Sequence, residues 1–209
     1  AAAGNHSAFI LDPDSGSAFR IALVTAAPGA VYWQRFGHNA LLVENTVTGD
    51  ARLYNFGIFD FEQKNFLLNF VRGRMIYRLA AFAPDDDLAN YASEGRSVWI
   101  QELNLRPEQR YAVAEMLGQN ALPENAEYRY DYFAQNCSTR VRDVLDTVLE
   151  GRLKETMSAR ARGETDRSLA MAYALKLGGQ VIPLTGLVDP KVLLHGEGNT
   201  IVYEQHPKM

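Results

Sequence analysis

A single cysteine, Cys137, occurs in a chain of 209 residues. That count removes the two covalent shortcuts to a stable small fold. One thiol closes no intrachain disulfide, and the four histidines (His6, His38, His195 and His206) stand at no spacing that would build a zinc site with it. Shape must therefore come from an apolar core. The material is present: 47% of the residues are hydrophobic and 11% aromatic, spread along the whole length, so disorder is not expected. With 21 Lys and Arg against 25 Asp and Glu the net charge is −4, and no basic block stands out. No nucleic acid partner is expected, because phosphate binding needs clustered cations. No run of 18 apolar residues exists to span a bilayer. The opening Ala1-Ala2-Ala3-Gly4-Asn5 lacks the basic and apolar regions of a signal peptide, as expected of a mature chain.

Periodicity along the chain predicts an α+β fold, an antiparallel sheet with helices to one side. Residues 19–25 (FRIALVT) read as a buried strand closed by Pro28-Gly29, and 36–44 (FGHNALLVE) as a second strand. Thr48-Gly49-Asp50 supplies a hairpin turn into 52–56 (RLYNF). An aromatic-rich segment follows at 57–70, with a short helix expected at 65–72. A strand at 75–82 and a helix with an acidic first turn at 85–94 come next. Residues 97–105 (SVWIQELNL) alternate as a half-buried strand does. Pro107 opens a helix to about residue 120, with Tyr111, Ala114, Met116 and Leu117 as inner positions. After an extended aromatic stretch at 128–133, residues 137–149 form the clearest amphipathic helix of the chain. Cys137, Val141, Val144, Leu145, Val148 and Leu149 share one of its faces. Beyond it the pattern weakens, leaving a helix at 168–177 and a strand at 200–204 as candidates.

Chemistry concentrates at the start of that amphipathic helix. Asn136 is a good N-cap, which places Cys137 in the first turn. Free backbone N–H groups and the positive end of the helix dipole favour a thiolate there, and can stabilise an oxyanion on a carbonyl under attack. Asn136 and Ser138 flank the thiol and are candidates for that oxyanion or substrate site. Arg140 and Arg142 add positive charge, or face solvent. The alternative for Cys137 is a small buried hydrophobe continuing the apolar stripe. A nucleophilic thiol needs a base, and His38 is the candidate because a sheet strand would hold its imidazole rigidly. A third group orients such an imidazole. Asn55, on the neighbouring strand, is the candidate, with Asp60 as the alternative; alternation alone does not tell which face of that strand meets His38.

Five stretches carry a resemblance: FGHNALLVEN (36–45), LYNFGIFDF (53–61), NFLLNFVRGRMIYRL (65–79), GRSVWIQELNLRPEQ (95–109) and YRYDYFAQNCSTRVRDVL (128–145). Together, and in this order, they resemble the periplasmic domain of Lnb-type lipoprotein N-acyltransferases over about residues 19–150. That family is similar to circularly permuted papain-like (NlpC-type) enzymes, in which the His strand precedes the Cys helix. The resemblance implies a catalytic domain at 19–150, with 151–209 a C-terminal extension packed on it. It implies Cys137 as nucleophile, His38 as base and a periplasmic or cell-envelope location, with no cofactor and no metal. Tyr130 is an oxyanion-side candidate by analogy with related cysteine peptidases. In an oxidising compartment a lone catalytic thiol has no partner with which to form an internal disulfide.

The activity so implied is acyl transfer from a phospholipid through a Cys thioester to an amine, that of a lipoprotein or peptide. The aromatic segment at 56–70 would form an acyl-chain groove, make peripheral membrane contact or simply pack in the core. A papain-like hydrolase, either a cell-wall peptidase or amidase or a lipase, would use the same pair. A non-enzymatic binding domain is the third reading. It predicts a thiol more than about 6 Å from any histidine, beyond hydrogen-bond reach.

Overall fold

Long apolar runs that alternate only weakly belong to strands covered on both faces, and the first strand sets the plan of the molecule. A computed structural model describes residues 13–31, 34, 36–59, 75–131, 134–159 and 202–205. A short 3-10 turn (Pro13–Ala18) leads into β1 (Phe19–Ala26), in which every residue but Arg20 and Thr25 is buried. The other strands are β2 (His38–Asn45), β3 (Ala51–Ile58), β4 (Ile76–Phe82), β5 (Val98–Glu102), β6 (Glu127–Arg129) and β7 (Val202–Gln205). Six of them, in the order β6-β4-β3-β2-β1-β5, form the body of one antiparallel sheet, and β7 adds to the β5 edge. Of the extended stretch expected at 128–133, β6 takes up the start, and the Asp131 carboxylate accepts from the Ala134 N–H at 2.8 Å while its backbone bridges Gln135; residues 132 and 133 lie outside the described residues. The expected elements at 65–72 and 168–177 lie outside the described residues.

The β2–β3 hairpin fixes the register that matters most. Asn45 closes the turn, its side-chain oxygen accepting from the N–H groups of Val47 (2.9 Å) and Thr48 (3.1 Å), while Gly49 takes the left-handed conformation, φ 79°. From that closure Ala40 falls opposite Asn55. Because side chains alternate along a strand, His38, Ala40, Leu42, Leu53 and Asn55 lie on one face, and Asn39, Leu41, Val43, Tyr54 and Phe56 on the other.

The helices are α1 (Pro84–Ser93), α2 (Pro107–Asn120), α3 (Cys137–Val148) and α4 (Arg152–Ala159). The larger core joins Ile21, Leu23, Leu41, Tyr54 and Phe56 to Val113 and Leu117 of α2 and to Cys137, Val141, Val144, Leu145 and Val148 of α3. Each such side chain, fully buried, contributes about 1.5–3 kcal/mol relative to exposure. Of the inner positions expected on α2, Ala114 and Leu117 are buried, with Tyr111 and Met116 packed at the rim. Gln109 is also buried, bonded through Nε2 to the Val148 carbonyl at 3.0 Å, which ties α2 to the end of α3. α4 docks on α3 through the Lys154 N–H to Asp146 Oδ1 at 2.8 Å.

The expectation of helices to one side is corrected. Val24, Ala26, Ala40, Leu53 and Val98 make a second buried cluster on the opposite face, covered by Leu88 and Tyr91 of α1. A sheet whose central strands are apolar on both faces needs cover on both, and α1 supplies the second layer.

Candidate active site

The start of α3 is built by a reciprocal capping box. Asn136, fully buried, accepts from the Thr139 N–H through Oδ1 at 2.9 Å, while its own N–H donates to Thr139 Oγ1 at 2.8 Å. The box engages the N–H groups of Asn136 and Thr139 and leaves those of Cys137 and Ser138 at the open end of the helix. Cys137 is therefore set at the first position by sequence-local bonding, and the residue is buried, 7% exposed.

His38 opens β2 directly after Gly37, which adopts φ 72° and where a Cβ would sit 2.6 Å from the Ala26 carbonyl oxygen. By alternation the imidazole belongs to the α1 face of the sheet and Cys137 to the α3 face. They meet because His38 is the end residue of its strand, where a side chain can cross the sheet's rim. His38 stands within side-chain hydrogen-bond reach of Cys137. Its Nε2–H donates to Asn55 Oδ1 at 2.9 Å, which leaves Nδ1 for the thiol. Of the two orienters considered, Asn55 is thus the residue on the imidazole; Asp60 lies outside the described residues.

The next residue, Asn39, points to the α3 face and completes the thiol's surroundings. Thr25 Oγ1 donates to Asn39 Oδ1 (2.9 Å), and Asn39 Nδ2 donates to Ser138 Oγ (2.8 Å), itself 3.9 Å from Cys137 Sγ. Burial alone would push the Cys137 thiol up. The hydrogen bond to His38, the imidazolium charge, the Asn39 N–H and the Ser138 hydroxyl together outweigh burial and bring it down to about 7. His38 moves the other way. Burial would lower it and Arg96 opposes its charge, but the thiolate and Asn55 hold the imidazole above its ordinary value. The pair favours thiolate and imidazolium together.

Behind Asn55 lies a residue not singled out from the sequence. Asn55 Nδ2 donates to the Asp87 carboxylate of α1 at 2.7 Å, and to the Leu53 carbonyl at 3.2 Å. In the sequence, Asp87 is one of three consecutive aspartates that read simply as a helix-dipole complement. Asp85 and Asp86 are exposed and Asp87 alone turns inward.

Tyr130 and Tyr128 share one side of the segment entering the site, and the structure gives them different neighbours. The Tyr130 ring stacks on Tyr77 at 4.1 Å, and its N–H bonds the Met75 carbonyl at 3.1 Å. Tyr128 packs edge-on against Phe56 with Arg140 over its ring at 4.3 Å. Among the described residues its buried hydroxyl meets no acceptor, and the Gly57 backbone N–H faces its oxygen. That hydroxyl and Cys137 converge on Gly57 (φ 97°), where a Cβ would lie 4.0 Å from the one and 3.9 Å from the Cys137 Cβ. Burial and the neighbouring thiolate raise the Tyr128 phenol far above its ordinary value, keeping it a donor. Arg140 is engaged by Tyr128 and Gln135, and Arg142 by Asp143. Of the aromatic segment, Phe56 is core and Phe59 packs 5.2 Å from Tyr77; residues 60–70 lie outside the described residues. No group of three or more His, Cys, Asp or Glu is placed to hold a metal among the described residues.

Comparison with protein families finds a match to the Lnb N-terminal periplasmic domain over residues 11–170, more than half of the chain. The chain belongs to that family, and the domain is periplasmic. Comparisons with curated proteins and with solved structures find no match. Among the described residues no helix is long and apolar enough to cross a membrane.

Proposed function

We propose that this member of the Lnb N-terminal periplasmic domain family is a cysteine-dependent acyltransferase with a permuted papain-like catalytic fold. It would carry an acyl chain from a phospholipid, through a thioester on Cys137, to the amine of a lipoprotein N-terminus. The observation that carries the reading is the thiol at the start of α3, within hydrogen-bond reach of His38 and brought down to about 7, with Asn55 behind the imidazole. A merely structural thiol is expected far from any histidine, and this contact speaks for a working pair. The His strand precedes the Cys helix in the chain, the order of the permuted enzymes.

The chemistry runs in two displacements. His38 Nδ1 takes the proton of Cys137, and the thiolate attacks the carbonyl carbon of a phospholipid ester. The N–H groups of Cys137 and Ser138 receive the negative charge that develops on the carbonyl oxygen. Of the two tyrosines, Tyr128 is the better placed to add a donor, because its hydroxyl lies beside the nucleophile and meets no acceptor among the described residues. The ester C–O bond breaks, and the lyso-lipid alcohol leaves with the proton from His38. An amine then attacks the thioester. Its proton passes through His38 to the departing sulfur, which restores the thiol. Asn55 keeps Nε2 protonated throughout, so that Nδ1 is the nitrogen that cycles.

Intact mass spectrometry after incubation with phospholipid vesicles tests this directly. Wild type should gain one acyl mass, and Cys137→Ala and His38→Ala should not. An adduct that persists in Cys137→Ala would sink the thioester. Transfer of the acyl group to an added lipopeptide amine marks the transferase, whereas release as free fatty acid alone would favour the lipase form of the hydrolase reading.

A further inference from the structure

We propose that Asp87 is a positioning residue of the Cys137 centre: its carboxylate binds the amide nitrogen of Asn55 and so fixes the amide oxygen toward His38. The inference rests on reading Cys137 and His38 as nucleophile and base. A carboxamide is nearly symmetric in shape, and its two ends are distinguished only by what surrounds them. Asn55 is 2% exposed, so water cannot make that choice. Three groups meet its amide: the Leu53 carbonyl and the Asp87 carboxylate, both acceptors, and His38 Nε2. Two acceptors demand the two N–H donors of Nδ2, and Oδ1 is left for the ring. A flipped amide would set its oxygen against a carboxylate and a carbonyl, both repulsive.

The consequence reaches the thiol through the tautomer. With Oδ1 facing it, Nε2 must carry a proton, and in the neutral ring Nδ1 then offers its lone pair to Cys137. With NH2 facing it, Nε2 would have to accept, the ring proton would sit on Nδ1, and the base would be blocked. The Leu53 carbonyl is the weaker of the two holders, at 3.2 Å against 2.7 Å for Asp87. Asp87 reaches the site because its neighbours Leu88 and Tyr91 pack into the second core, carrying the inward side of α1 onto the end of β3. Among the described residues, Asp86, Tyr91 and His38 act on Asp87, Cys137 and Arg96 act on His38, and Tyr91 and Tyr128 face Cys137. Burial raises the Asp87 carboxyl, while the bond from Asn55 and the imidazolium hold its charged form in place.

The only cysteine of the chain makes the test specific, because iodoacetamide then reports on Cys137 without any need for acyl transfer. The rate of alkylation is followed against pH in wild type, His38→Ala, Asp87→Ala and Asp87→Asn. Wild type should reach half its limiting rate near pH 7, and His38→Ala should move that midpoint up toward the ordinary thiol range. Asp87→Ala should move it the same way, slowing alkylation at about pH 6.5 by roughly fivefold to tenfold. Asp87→Asn, close to the native shape, should move it less, since its own oxygen can accept the same bond. An Asp87→Ala profile that superimposes on wild type while His38→Ala is displaced overturns the proposal alone. Coincidence of His38→Ala with wild type overturns the nucleophile–base reading and this proposal with it. Displacement of Asp87→Asn as far as Asp87→Ala overturns the orienting role in favour of charge alone.

Discussion

Two helix starts flank the end of the sheet, one on each face, and they are made differently. α3 begins with a buried Asn136 whose side chain and backbone exchange bonds with Thr139. α1 begins with Pro84 and three aspartates, and its N-cap Ala83 offers no side-chain bond. The first start is held by its own residues and presents a thiol. The second relies on Pro84 and on charge against the dipole, and turns one carboxylate, Asp87, onto Asn55, which holds the imidazole that the thiol meets. A helix that is locally self-sufficient can place a nucleophile by itself. A helix placed by its packing can deliver only what the opposite face of the sheet lets it reach.

Five measurements would sharpen or break this contrast. The largest effect belongs to His38, where the two sides meet. His38→Ala should lower thioester formation about 10²- to 10⁴-fold, read by adduct mass against time. The pH dependence of stability follows from the same contact. The folded thiol sits at about 7, below its unfolded value, so its contribution is complete above the ordinary thiol range and is lost as pH falls through 7. The His38 contribution is complete below 6.5 and is lost as pH rises through its raised folded value. Thermal melts should therefore show the advantage of wild type over Cys137→Ser shrinking as pH is lowered through neutrality. A constant difference would mean that the thiolate adds nothing to the fold.

Next in size is the pair of tyrosines. Tyr128→Phe should slow acyl transfer about 10²-fold, the usual loss for one oxyanion donor, while Tyr130→Phe should stay within a few-fold of wild type. The reverse ranking would return that role to Tyr130. The two cores should differ under denaturant as well. Leu145→Ala, in the larger core beneath α3, should cost about 3 kcal/mol, and Leu88→Ala on half-buried α1 roughly 1 kcal/mol. Equal costs would mean that both faces are packed alike. Smallest are the helix ends themselves. Asn136→Ala should cost about 1–2 kcal/mol, and Asp85→Asn, in the exposed first turn of α1, roughly 0.3–0.5 kcal/mol. If the two losses match in chemical denaturation, the capping box is not what distinguishes α3.

How much of the site was legible follows from the range of the interactions that make it. The cap at Asn136, the thiol at the first helical position and the apolar stripe through Val148 depend on partners three or four residues away, and the sequence displays those directly. The same is true of the apolar runs of β1 and β2 and of the turn at Thr48-Gly49-Asp50. Asn55 could be proposed from its strand, yet its choice over Asp60 depended on a register that places it opposite Ala40. Asn39 and Asp87 carried no sequence signal. One is a strand residue whose partner Ser138 is 99 positions away, and the other is hidden among exposed aspartates 32 positions from Asn55.

By itself, then, the sequence determined that this chain must fold on an apolar core and that its one thiol stands at a strong helix start after a histidine-bearing strand. Local period, capping and composition suffice for that. Only the tertiary structure decided that α1 covers the second face of the sheet, that His38 crosses the rim to the thiol, that Asn55 and Asp87 line up behind it, and that Tyr128 rather than Tyr130 lies against Gly57 and Cys137. Those outcomes depend on strand register and on which helix lies over which face. Both are fixed by contacts between distant segments that local pattern cannot encode.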